Sequence, residues 1–120
     1  MAAAKPRMPL SIKVGARTYF VEVLPDLDEP NLVGYTNHWK GKIQILEDLA
    51  EPVRRETLLH EVVHAGIGTF SSSHKNIAHA ARNPEDYDWE EHFTDIVGSS
   101  LLMILRDNPK LVAYLLHKES

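Results

Sequence analysis

The chain contains no cysteine, so neither disulfide bonds nor thiolate metal ligands are available to it. A bound transition metal would therefore have to be held by histidine, aspartate and glutamate. The sequence also lacks any apolar run near the roughly 18 residues that a membrane-spanning helix needs. The first nine residues are broken by two prolines and do not form the apolar core of a signal peptide. We therefore expect a cytoplasmic protein without a membrane partner.

An excess of positive charge is also missing. The 13 lysines and arginines stand against 17 aspartates and glutamates, which gives a formal net charge of −4. Such a mildly acidic chain has no general affinity for phosphates, so we expect no nucleic-acid partner. A chain of 120 residues has the usual size of one domain. We predict a flexible leader over residues 1–9 and a single domain over residues 10–120.

The chemistry-bearing feature of the sequence is the pattern His-Glu-x-x-His, formed by His60, Glu61 and His64 inside an apolar run. Residues four apart lie on one face of an α-helix, so the two imidazoles can reach a common point. Glu61 lies about 100° further round the helix, where its carboxylate can bind a water beside that point. The pattern predicts a zinc ion held by His60 and His64, with Glu61 as the catalytic base. The alternative is a pair of surface histidines on an amphipathic helix.

A catalytic zinc site normally takes three protein ligands, so a further ligand has to be found. A second helix, predicted over residues 89–105, begins with Glu90, Glu91 and His92, and a helix holds a ligand more rigidly than a loop. We favour Glu91, because Asp95 follows it by one turn and could accept the second N–H of a metal-bound histidine. Glu90 is the runner-up and His92 the third choice. Further candidates lie in the preceding loop: His74, His79 and Asp86.

The remaining sequence predicts an α+β fold. Alternating apolar and polar residues predict two β-hairpins, with strands over residues 12–14, 19–23, 32–36 and 42–46. We expect these strands to form an antiparallel sheet of about four short strands, packed on the His-Glu-x-x-His helix and on the second helix. The first helix is predicted over residues 52–67, ended by Gly66 and Gly68. A short C-terminal helix is predicted over residues 111–116, and His38, Trp39 and His117 are interpreted as surface or packing residues.

The motif and the glutamates of the later helix resemble those of the gluzincin metallopeptidases, and more narrowly of the small ImmA/IrrE-like proteins common in bacteriophage and prophage genes. The spacing of Glu91 and Asp95, the pair Leu101-Leu102 and residues 105–111 contribute to this resemblance, which covers residues 10–116. It implies a minimal zincin-like domain in which a sheet precedes the motif helix and a later helix supplies the third zinc ligand. It also implies a bacterial or phage-infected host cytoplasm.

The predicted chemistry is the zinc-dependent hydrolysis of peptide bonds in a protein or peptide substrate. Zinc and Glu61 would activate a water, and Glu61 would pass its proton to the leaving amine. Tyr87 is the candidate donor to the oxyanion, with His79 and His74 as alternatives. A small domain offers a shallow cleft, which favours a restricted substrate. The competing hypotheses are a regulatory or binding module with a structural or vestigial metal, and a metal-free interaction domain.

Overall fold

The computed structural model describes residues 5–71 and 89–118, without the side chains of Ser71, residues 89–92 and Asp95. In this part of the chain there are four strands and three helices, which confirms the predicted α+β class. In chain order the elements are β1 (Ser11–Val14), β2 (Arg17–Leu24), β3 (Gly34–Asn37), β4 (Lys42–Leu46), α1 (Glu51–Ser71), α2 (Trp89–Asp107) and α3 (Pro109–Leu116).

The strands form one sheet in the order β1-β2-β4-β3. Each predicted hairpin is present, and the turns between the paired strands place Gly15 and Gly41 at φ values of 63° and 64°. The prediction of an antiparallel sheet is wrong, because β2 pairs with β4 in parallel and the sheet is mixed. The apolar content of the strands explains this order. Ile43 and Ile45 of β4 are fully buried and suit a central strand, whereas every residue of β3 is only partly buried and suits an edge.

One face of the sheet and one face of α1 form the core. Burial alternates along β1, as expected for a sheet covered on one side only. The helices close the core from the same side. Its buried members are Ile12, Val14, Tyr19, Val21, Ile43, Ile45, Leu58, Val62, Ala65, Ile104, Leu111 and Tyr114. Met8, within the predicted leader, also packs against this cluster. Because Leu58, Val62 and Ala65 fix the buried face of α1, they also determine which of its side chains face outwards.

Helix α1 is longer than predicted and does not stop at its two glycines. Gly66 lies where α1 meets α2, and a Cβ atom there would lie 3.0 Å from Ser100 Oγ and 3.3 Å from Ile104 Cδ1. At Gly68 a Cβ atom would overlap the imidazole ring of His38. The predicted helix end at these residues is therefore wrong. Both glycines permit a close approach by a neighbouring element instead of ending the helix.

The junction between α2 and α3 is tied to the edge strand β1. Asn108 separates the two helices, and its Oδ1 accepts a hydrogen bond of 2.8 Å from the main-chain N–H of Lys13. Its Nδ2 donates to the carbonyl oxygens of Lys13 at 2.8 Å and Ile104 at 2.7 Å. Pro109 is the first residue of α3, where its missing N–H costs nothing. The side chain of Asn108 thus closes one edge of the sheet.

Among the residues that the structure describes, none of the helices has the length and apolar character needed to cross a bilayer.

Candidate metal centre

The two motif histidines lie together on the outward face of α1. Their Nε2 atoms are 3.2 Å apart, and the ring centroids are 4.8 Å apart with an angle of 70° between the ring planes. The His60 side chain is 67% exposed. This placement follows from the helical period, because Val62 and Ala65 occupy the buried face of the same two turns. The structure therefore brings His60 and His64 to one accessible point, as the spacing predicted.

The separation of these nitrogens suits a shared metal ion. Two nitrogens bound to tetrahedral zinc at about 2.0–2.1 Å lie roughly 3.3–3.4 Å apart, close to the 3.2 Å between His60 Nε2 and His64 Nε2. A hydrogen bond between two neutral imidazoles gives a similar distance. Within residues 5–71 and 89–118, apart from the side chains left out, no group of three histidines or carboxylates is arranged to hold a metal. The pair therefore supplies two ligands of the right chemistry and spacing.

Glu61 lies beside the histidine pair and is held in place by the sheet. Glu61 is only 5% exposed, although the nearby His60 and His64 face outwards. The hydroxyl of Thr36, on β3, donates to Glu61 Oε1 at 2.7 Å and also lies 3.1 Å from the main-chain oxygen of Glu61. The other carboxylate oxygen, Oε2, is 3.9 Å from His60 Nε2. One oxygen is thus fixed by Thr36, and the other is directed towards the histidines.

The close approach of β3 to α1 depends on Gly34. A Cβ atom at this position would lie 2.7 Å from Thr57 Cγ2 and 2.9 Å from Glu61 Oε2. Any other residue would therefore force β3 away from the helix or displace the Glu61 carboxylate. The glycine lets the edge strand pass directly over the motif helix, with Thr36 within reach of Glu61.

A cleft runs between β3 and α1. It consists of two cavities, of about 240 Å³ and 350 Å³, which share Leu32, Gly34, His60 and Glu61 in their walls. The smaller cavity also reaches His64. A larger cavity of about 480 Å³ lies elsewhere, between residues 7–11 and 107–111. It contains neither motif histidine, so volume alone does not point to the site.

His38 belongs to this cleft, although the sequence analysis did not place it there. It lies in the turn between β3 and β4 and lines the smaller cavity together with His60 and His64. His38, interpreted from the sequence as a surface or packing residue, packs over Gly68 and also lines this cavity. Its ring occupies the space that a side chain at position 68 would fill. Position 68 follows His64 by four residues and lies on the same face of the helix. A glycine at this position was the one local indication in the sequence that another group approaches this face.

A partly buried hydrogen-bond network orients the His38 ring. Its Nδ1 is 3.1 Å from the hydroxyl of Tyr19, which in turn is 3.1 Å from Thr69 Oγ1. The Arg17 guanidinium donates to the main-chain oxygen of His38. Burial lowers the pKa of His38, and the neighbouring Arg17 guanidinium and His64 imidazole lower it further. The lowered pKa favours the neutral imidazole, whose Nδ1 is engaged with Tyr19.

The structure does not describe the side chains of the remaining predicted site residues. Glu90, Glu91 and His92 lie in the first turn of α2, where the structure gives their backbone, as it does for Asp95. The loop residues His74, His79, Asp86 and Tyr87 lie outside the described residues. Trp39 is 99% exposed, in agreement with its interpretation as a surface residue. The third ligand and the oxyanion donor therefore stay predictions.

Comparison with known proteins finds no family model, no curated protein and no solved structure that matches this chain.

Proposed function

We propose that this protein is a zinc-dependent peptidase with a minimal zincin-like domain of the gluzincin type. The observation that carries the proposal is the convergence of His60 Nε2 and His64 Nε2 to 3.2 Å beside the buried carboxylate of Glu61. Two neutral imidazoles and a neighbouring carboxylate that does not bind the metal are the ligands and the base that this hydrolysis requires. We retain Glu91 as the third ligand, with Glu90 as the runner-up.

Each residue of the cleft has a definite task in this proposal. Zinc, when bound, would supply a Lewis acid that lowers the pKa of a water molecule towards neutrality. Glu61 accepts the proton of the attacking water through Oε2, the oxygen that Thr36 leaves free. As the peptide C–N bond breaks, Glu61 returns this proton to the leaving nitrogen. Asp95 is proposed to orient a ligand histidine, and Tyr87 to hydrogen-bond the oxyanion.

The shape of the cleft favours an extended peptide as substrate. Among the described strands, β3 is at the edge of the sheet and pairs with β4 alone, so its other side can accept the backbone of a peptide. The cavities of about 240 Å³ and 350 Å³ along this strand accommodate only a few side chains. A short cleft of this kind supports a restricted protein or peptide substrate rather than general digestion.

The test compares zinc content and peptide cleavage in three variants. Glu61→Gln should retain zinc and lose cleavage of a random peptide library, read by mass spectrometry, because it removes only the base. His60→Ala should lose both properties, because it removes a ligand. His117→Ala, at the end of α3, is the matched control and should retain both. Full cleavage by Glu61→Gln would contradict the proposed mechanism. Stoichiometric zinc without cleavage by the wild type would instead support a regulatory module.

A further inference from the structure

The histidine face of α1 continues beyond the metal-binding motif. Positions 60, 64 and 68 follow one another at intervals of four residues, so they lie along one face of the helix. The third position is Gly68, and the ring of His38 fills the space above it. Three imidazoles therefore border one cavity of about 240 Å³, two from the helix and one from the β3–β4 turn.

We do not assign His38 as a third metal ligand. Among the side chains described within residues 5–71 and 89–118, no three histidines or carboxylates form a group that could hold an ion. His38, His60 and His64 therefore do not form such a group. What His38 offers to the cavity is a single ring nitrogen, Nε2, because Nδ1 is already paired with Tyr19. A neutral imidazole fixed beside a metal suits a hydrogen bond to a group that the metal polarises.

We propose that His38 is a substrate-binding residue of this site, which donates a hydrogen bond from Nε2–H to the carbonyl oxygen of the peptide bond. The inference rests on the proposed function. This role requires that the Tyr19 hydroxyl, 3.1 Å from His38 Nδ1, donates to that nitrogen, which would leave the proton on Nε2. The Tyr19 hydroxyl could in turn accept a hydrogen bond from Thr69 Oγ1, at 3.1 Å. Tyr19 is fully buried, and its hydrogen bonds to His38 and Thr69 are partly buried. His38 thereby supplies a donor within the described cleft, in addition to Tyr87.

Gly68 provides a way to displace His38 without removing it. Gly68→Ala adds a Cβ atom that would overlap the imidazole, so the ring has to leave its place. The matched control is Gly98→Ala in α2, where an added Cβ meets no atom within 4 Å. Both substitutions improve the intrinsic helix propensity to the same extent. A difference in ligand binding between these two variants therefore reports on the position of His38.

The first measurement reads the His38 tautomer in the metal-free protein by two-bond ¹H–¹⁵N NMR. The expected result is a neutral ring protonated at Nε2, and loss of the fixed tautomer in Tyr19→Phe. A ring protonated at Nδ1 in the wild type would overturn the proposal, since Nε2 would then have no proton to donate. This result does not depend on zinc, so it separates a failure of this inference from a failure of the proposed function.

The second measurement uses acetohydroxamate, a small metal-binding probe with a peptide-like carbonyl oxygen, titrated into the zinc-loaded protein by calorimetry. We expect His38→Ala and Gly68→Ala to bind zinc as the wild type does, and to bind acetohydroxamate about tenfold more weakly, the effect of one lost hydrogen bond. Gly98→Ala should match the wild type. Equal acetohydroxamate affinity in folded His38→Ala, or loss of its zinc, would overturn this inference alone. A wild type that binds no zinc would overturn the proposed function as well.

Discussion

The hydrogen bond between Thr36 and Glu61 offers a sharp test of how the sheet supports the site. Thr36→Val removes the hydroxyl that donates to Glu61 Oε1 at 2.7 Å and keeps the shape of the side chain. The Glu61 side chain is only 7% exposed, so water cannot easily replace the lost donor. Removing a hydrogen bond to a charged group at a buried position costs about 1.5–3 kcal/mol. We therefore expect the free energy of unfolding to fall by about 2 kcal/mol.

The corresponding shift in the melting temperature follows from the length of the chain. An unfolding entropy of about 2.1 cal/mol/K per residue gives about 250 cal/mol/K for 120 residues. A loss of about 2 kcal/mol then lowers the melting temperature by about 8 °C. Differential scanning calorimetry of the metal-free protein measures this shift without contribution from a bound ion.

Thr18→Val on β2 is the matched control, because Thr18 is exposed and also lies within a strand. It should change the melting temperature by less than about 2 °C, since surface substitutions usually stay within about 0.5 kcal/mol. If Thr36→Val were as stable as this control, the hydroxyl would not be holding the carboxylate. Strand β3 would then not be what positions Glu61.

Two further predictions concern the frame around the site. Asn108→Ala removes the three hydrogen bonds that tie this residue to Lys13 and Ile104, and should lower the free energy of unfolding in urea by about 2–4 kcal/mol; a loss below about 1 kcal/mol would contradict this role. Burial, and then the neighbouring Glu51, raise the pKa of Tyr114 to about 12. The unfolded chain loses this proton near pH 10, so stability should fall by up to about 2 kcal/mol between about pH 10 and pH 12. Tyr114→Phe should lack this component.

The parts of the fold that depend on local periodicity could be predicted from the sequence. Both hairpins follow from alternating residues and turn glycines, and the pair His60 and His64 follows from the period of the helix. The order of the strands did not follow in the same way. The order depends on which of β3 and β4 lies at the centre of the sheet. Strand β4 lies there because Ile43 and Ile45 are buried by contacts with residues distant in sequence.

The missed features of the site share a physical cause. A glycine near the end of an apolar helix usually ends it. Here the helix continues, and the side chains of Ser100 and His38 fill the space beside Gly66 and Gly68. The sequence around His38 contains no partner for it, because Tyr19 and Thr69 lie 19 and 31 residues away. Tertiary contacts of this kind overrule the local preference, and only the folded chain reveals them.

The central claim, one zinc ion shared by His60 and His64, is tested most directly by calorimetric titration of Zn²⁺ into the metal-free protein. The account predicts one ion for each wild-type chain and a loss of affinity of more than about 100-fold in both His60→Ala and His64→Ala, since removing a group that only orients a ligand already costs 10–100-fold. His117→Ala should bind as the wild type does. A wild type that binds no zinc, or single variants that bind it equally well, would contradict the claim.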